Sequence, residues 1–368
     1  MDIQADEASD DAPTGVSTST AAGQRSVRII HLSDPHLPTL GPVSFATLLN
    51  KRIFGYLNWQ FRRRFVHRRE VLDCLTNDIN QRGYDQLLIG GDLINIALPQ
   101  EFVSARRWMD GLGDPSKIMV VPGNHDTYVR VPWDKGLGQW ADYMTGLRVA
   151  ATAPDGPLTL KERKPTGFSD FPFIRRVGPV QMVGLNTAPS SAPGLATGRA
   201  GPQQRARLKS MLAHQTTPSK GDSSGPNLTV ILGHHPWSGA GMARHKRMTD
   251  GRDLIAVADA ARVAGAGQIM LLHGHAHVPM HQAVGAHQTL HLGVASASYA
   301  HQREEPHDAD TGPPPAGQYH CFDILTPASK GQREGTKTVQ ITLTVRAVDP
   351  RDMTVYTAYQ GTPEAWSP

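Results

Sequence analysis

Five short stretches carry the residues best suited to chemistry. They are Asp34-Pro35-His36, Gly91-Asp92, Gly123-Asn124-His125-Asp126, Gly233-His234-His235-Pro236 and Gly274-His275-Ala276-His277. Together they offer carboxylates, imidazoles and one amide, with no cysteine. That mixture suits one or two borderline-to-hard divalent ions (Mn, Fe, Zn or Co) rather than a thiolate-selected metal. Asp34 and His36 stand two residues apart, as do His275 and His277. In extended backbone each pair leaves on one side of the chain, able to grip one ion or straddle two. Asp92, alone between the pairs, can bridge two ions with its two oxygens. Two ions roughly 3.5–4 Å apart clamp both oxygens of an in-line phosphoryl displacement and supply a hydroxide at neutral pH.

Each stretch follows an apolar run of strand length. Runs at 27–32, 85–89, 118–122, 180–185, 228–232 and 269–272 predict strands. Helical spacing predicts helices near 71–79, 101–112, 203–214 and 253–264. Ligand groups gather at the carboxyl ends of strands in open α/β sheets, so the five stretches are expected to meet on one sheet edge. Residues 132–175 carry Pro, Gly and Trp without a regular period. Beyond His277 strands follow strands, at 289–294, 319–325, 338–348 and 353–358, and read as antiparallel. The 216–227 and 303–317 stretches read as loops. The order predicts an α/β architecture completed by an antiparallel sheet, in one domain over 26–360 behind a disordered tail at 1–25.

The chain has 368 residues, 39% of them hydrophobic, enough for a sizeable core. Its net charge of +4 is not the footprint of a nucleic-acid binder. Two cysteines make no disulfide framework, while 17 histidines hint at metal chemistry. No apolar stretch has transmembrane length, and the first residues lack the basic and apolar regions of a secretory signal. The expected compartment is the cytoplasm, with a peripheral place at the inner face of the membrane in view. That thought comes from residues 45–69, where seven Lys/Arg between Lys51 and Arg69 meet no acid and alternate with Phe54, Tyr56, Leu57, Trp59, Phe61 and Phe65. Three readings stand: a solvated helix face, a lid whose arginines recognise an anionic substrate, or an amphipathic surface on anionic lipid.

Taken in order, the five stretches resemble the five-block signature of the calcineurin-like metallophosphoesterases, over about residues 27–277. The resemblance implies a four-layer α-β-β-α sandwich of two mixed sheets with a dinuclear centre. It implies that Asp34, His36, Asp92 and His277 hold one divalent ion, and that Asp92, Asn124, His234 and His275 hold the other. His234 is preferred to His235 because the family's ligand directly follows its strand. His125 would be a non-ligand imidazole that protonates the leaving oxygen, and Asp126 would orient it. The expected activity is phosphoester hydrolysis by metal-bound hydroxide. Its substrate would be a cyclic nucleotide, another small phosphodiester, or a nucleotide-linked lipid pyrophosphate. A scaffold that keeps the fold without catalysis is the alternative, disfavoured because His125 and the whole ligand set are present. Asn186 either faces the site or caps its strand. His31, His291, His320 and the other unpaired histidines read as surface or satisfied side chains, and Cys321 as a small buried hydrophobe.

Overall fold

The computed structural model describes residues 25–37, 40–150, 159–190, 192, 194–216, 226–239, 242–300, 315–326 and 339–368. The expected tail up to residue 24 and most of the expected 216–227 and 303–317 loops lie outside them, while Arg25 opens the first strand. In chain order the strands are β1 (Arg25–Leu32), β2 (Gln86–Ile89), β3 (Ile118–Val120), β4 (Gly146–Val149), β5 (Leu160–Arg163), β6 (Phe173–Val177) and β7 (Val180–Gly184). They continue with β8 (Leu228–Leu232), β9 (Gln268–His273), β10 (Met280–Val284), β11 (Thr289–Gly293), β12 (Ala316–Thr326), β13 (Gln340–Val348) and β14 (Val355–Gly361).

Two mixed sheets result. The first runs β14-β13-β12-β1-β2-β3, the second β10-β11-β9-β8-β7-β6-β4-β5. Strands β1, β2 and β3 are parallel, as are β7, β8, β9 and β11. Alternation along the strands builds the layers. In β8, Leu228, Val230 and Leu232 join the core shared with the first sheet, while Ile231 joins the one under helices Pro202–Thr216 and Gly251–Val263. Helix Arg69–Arg82 buries Val71, Leu72, Leu75 and Ile79 over the outer part of the first sheet. The architecture is therefore helix, sheet, sheet, helix.

Three expectations change. The late strands make no sheet of their own: β12 pairs antiparallel with β1, so β12–β14 widen the first sheet. Strand β11 pairs parallel with β9. The aperiodic 132–175 stretch holds β4, β5 and most of β6: β4 alternates but buries Gly146 and Arg148 rather than its apolar residues, β5 is largely exposed, and β6 does not alternate regularly.

Candidate metal centre

The five stretches do converge, but from two sheets rather than one edge. Asp34/His36, Asp92 and Asn124/His125 follow β1, β2 and β3 of the first sheet. His234 and His275/His277 follow β8 and β9 of the second. Cross-loop hydrogen bonds lock them together. The Asp34 N–H donates to the Gly91 carbonyl (2.9 Å), the His36 N–H to the Asp92 carbonyl (3.1 Å), and the His275 N–H to Asp34 Oδ2 (2.9 Å). The loops approach so closely that a Cβ on Gly274 would strike Ser33 Oγ and Asp34 Oδ2, and one on Gly123 would strike Asp92 Oδ1.

The pairing by extended backbone is overturned. Asp34, His36, Asp92, His275 and His277 all have positive φ, from 36° to 68°. Non-glycine residues enter this left-handed region at a steric cost. Each donor is thus aimed by a tight kink just past its strand, held by the bonds above.

The resulting donor set fits divalent cations. The carboxylate and imidazole donors of Asp34, His36, Asp92 and His277 lie within 4.8 Å of one another, and those of His234, His235 and His275 form a second such group. His36 Nδ1 lies 3.2 Å from the Ile94 carbonyl and His234 Nδ1 2.7 Å from the Gly90 carbonyl, so both rings turn Nε2 inward, where a cation replacing a proton would find a donor. His234 Nε2 lies 3.1 Å from Asn124 Oδ1 and 3.3 Å from Asp92 Oδ2, whereas His235 Nδ1 is engaged by Thr187 Oγ1. His275 Nε2 is buried with no hydrogen-bond partner, and buried Asp34 Oδ1 has only His277 Nε2 within reach, at 3.1 Å. Buried lone pairs crowded in this way are costly unless a cation takes them up.

The fields are strong. Burial pushes the Asp92 pKa up, but the His234 and His125 imidazoles outweigh it and hold the carboxyl well below its usual range. Burial pulls His234 down, and the Asp92 carboxylate overcomes it, lifting His234 to about 9. Burial, then Arg63, pushes His125 down to about 3.

His125 lies beside the donor set, and its ring is held by the Asn95 carbonyl rather than by Asp126. The His125 Nδ1 lies 2.5 Å from the Asn95 carbonyl, which can only accept, and 3.1 Å from Arg63 Nη1, which can only donate; the shorter contact favours a proton on Nδ1. The His125 backbone N–H donates to Asp92 Oδ1 (2.7 Å). Asp126 is buried and accepts four backbone N–H groups instead: Asp92 (2.8 Å), Leu93 (2.9 Å), Ile94 (3.2 Å) and Gly123 (2.8 Å). It splints the Asp92 and Gly123 loops. Burial and the Asp92 charge push its pKa well up, against those donors.

Two neighbours went unassigned in the sequence. Arg63 Nη1 lies 3.1 Å from His125 Nδ1, and both its terminal nitrogens approach the His36 ring at 3.5 Å. His67, buried, joins His36 and His277 in a third cluster able to hold a metal ion, with Nδ1 2.9 Å from Ser298 Oγ. Both come from the acid-free segment after the first block, the one signal that hinted at them. Asn186 caps its strand: its N–H donates to Gln204 Oε1, and its Oδ1 accepts the Ala188 N–H. Cys321 is fully buried, as expected. His31 and His320, in contrast, are fully buried with no partner at either ring nitrogen, and His291 has none at Nδ1.

A cleft of about 710 Å³ opens over Asp92, Asn124, His125, His275 and His277. Arg62, Arg63 and Lys246 line it together with an apolar set that includes Val278, Pro279, Val345, Ala358 and Trp366. A larger cavity, about 850 Å³, lies against the Asp126–Thr127 turn and touches none of the seven expected ligands.

Several solved structures are similar to this chain. One is a Thermus thermophilus sulfate thiohydrolase, SoxB, in complex with glycerol, at 15% identity and a TM-score of 0.42 over 90% of this chain and 58% of that one. Another is the protein TT1561, also of Thermus thermophilus, at 12% identity and a TM-score of 0.39 over 92% of this chain and 100% of that one. A third is the Haemophilus influenzae NAD nucleotidase NadN, at 10% identity and a TM-score of 0.38 over 92% of this chain and 50% of that one. The chain thus spans only 58% of the first of these proteins. No curated protein matches it. The family model for calcineurin-like phosphoesterases matches residues 27–279, well over half of the sequence, and the chain belongs to that family.

Proposed function

We propose that this protein is a metal-dependent phosphohydrolase acting on a phosphodiester or pyrophosphate with an apolar substituent. Asp34, His36, Asp92 and His277 would hold one divalent ion, and Asp92, Asn124, His234 and His275 the second. Such ions supply Lewis-acid charge neutralisation and an acidified water.

The chain's own residues do the rest. Arg63 offers a fixed cation to a phosphoryl oxygen beside His125. The Asn95 carbonyl holds His125 Nδ1–H, leaving Nε2 to face the substrate. His125 is neutral beside Arg63; an anionic phosphoryl group offsets that cation and lets Nε2 take up a proton from solvent water, which it then delivers to the leaving oxygen. Asp126 keeps the Asp92 and Asn124 loops in register and does not touch the reacting atoms. The observation that carries this reading is the convergence of the donor set on a cleft that is basic on one side and apolar on another. The mixed lining favours a substrate with both a phosphate and an apolar part over a cyclic nucleotide.

The test is a screen of phosphomonoesters, cyclic nucleotides, linear diesters and nucleotide-linked lipid pyrophosphates with Mn, Fe, Zn or Co added, measuring released phosphate or nucleotide. Turnover of amphipathic substrates above the others supports the reading. No metal-dependent turnover of any class would leave the scaffold alternative standing.

A further inference from the structure

The helical segment after the first block turns two unlike faces outward and inward. It comprises helices Phe45–Leu48 and Arg52–Asn58, a π turn Trp59–Arg63 and the short helix Arg64–Val66. Ile53, Tyr56 and Trp59 pack inward against Leu40, Leu48, Ile96 and Leu98. Phe54, Leu57, Phe61 and Phe65, spaced three, four and four apart, line the opposite face. Those four, with Phe45 and Leu49, are six of the twelve large hydrophobic side chains exposed among the described residues; Phe61 is 76% exposed and Phe45 73%. Scattered exposed apolar residues need no explanation, but a cluster on one element does. Arg62 and Arg64 stand exposed among them, and no acid occurs between Phe45 and Arg69. Arg63, four residues past Trp59, continues the inward face and reaches the metal centre, while Arg62 and Arg64 on either side of it are exposed.

We infer that this face docks on an anionic lipid surface, bringing the cleft against the layer that holds the substrate's apolar part. The charge complementarity selects the occupant. Aromatic side chains interleaved with arginines suit the headgroup boundary, where rings insert and guanidinium groups meet lipid phosphates. An apolar protein groove would not need the arginines. The face is also continuous with the site, since Arg62 lines both. Only the position of the substrate rests on the hydrolase reading; docking itself does not.

The experiment is sedimentation of the full chain with phosphatidylcholine vesicles, with and without phosphatidylglycerol. Binding is expected only when phosphatidylglycerol is present, and is expected to weaken as salt rises. Phe61→Ser/Phe65→Ser and, separately, Arg62→Gln/Arg64→Gln are each expected to weaken it by at least about tenfold. All four side chains are exposed, so melting temperatures should hold. The Phe double variant should keep its turnover of a water-soluble diester. Absence of vesicle binding, or binding indifferent to both variants, overturns the inference. So does a concentration-dependent self-association that the same variants abolish, since a second copy would then be the occupant. Vesicle binding by a protein without turnover would overturn the hydrolase reading alone.

Discussion

His36 Nε2 and His277 Nε2 face each other at 3.2 Å, and the latter also lies 3.1 Å from Asp34 Oδ1. One shared proton satisfies only two of these three centres, whereas a divalent ion satisfies them together. Chelation should therefore destabilise the fold. Adding Mn or Zn should restore about 2.7 kcal/mol at roughly 100 times the dissociation constant, read as a saturable rise in melting temperature. Asp92→Asn should abolish most of that response, and an undiminished response would contradict its bridging role.

His125→Ala should keep its metal and its melting temperature response while losing about 10²–10⁴ in kcat. Metal content by mass spectrometry and turnover of bis-p-nitrophenyl phosphate check the two halves. Unchanged turnover would remove His125 from the proton-transfer role.

Asp126→Asn should behave differently. The amide presents an N–H₂ to backbone donors that the carboxylate now receives, so about 2–4 kcal/mol of stability should go with it. Metal affinity should fall as well, because the Asp92 loop loses its splint. Denaturant midpoints and metal titration read these effects. A variant as stable as the parent, with intact metal binding and only kcat reduced, would instead revive the idea that Asp126 orients His125.

Acid stability follows from a second group of histidines. His320 is fully buried, and burial holds its pKa down to about 3; His31 and His291 are pushed down for the same reason. The unfolded chain takes up these protons near pH ~6.5 while the folded chain does not. For His320 this stabilisation is complete above about pH 6.5 and lost as pH falls toward 3; His31 and His291 add to it in the same direction. From about pH 7 to 5 the loss is about 2 kcal/mol for His320. His320→Leu should flatten the dependence of melting temperature on pH by that amount, whatever its stability at neutral pH. An unaltered slope would show that the histidine charges in the folded state.

Much of the site was legible because strand ends are. Short buried runs such as 228–232 and 269–272 stop just before a glycine or a histidine, and polar residues beyond them have nowhere to go but the edge. What stayed hidden depends on shape rather than pattern. Arg63 reaches the centre from the inward face of a helical segment whose docking beside the site depends on tertiary packing. His67 arrives from the end of that same segment, far from any strand end. For Asp126, adjacency to His125 suggests a partnership, but the unmet N–H groups of two loops claim it first. Strands β4 and β5 are four residues each, and β5 is largely exposed, so no periodicity could mark them. The split of the donors between two sheets was equally invisible, since strand order is a property of long-range pairing.

The five positive-φ donors carry a trade-off between folding and function. At roughly 1–3 kcal/mol each, their backbone geometry is a standing load on the folded chain, concentrated in the residues that face the proposed ions. Glycine carries no such penalty there, so replacing one of these residues by glycine relieves strain even as it removes a donor. Stability gained by such a glycine at one of these positions would come at the expense of the proposed ions.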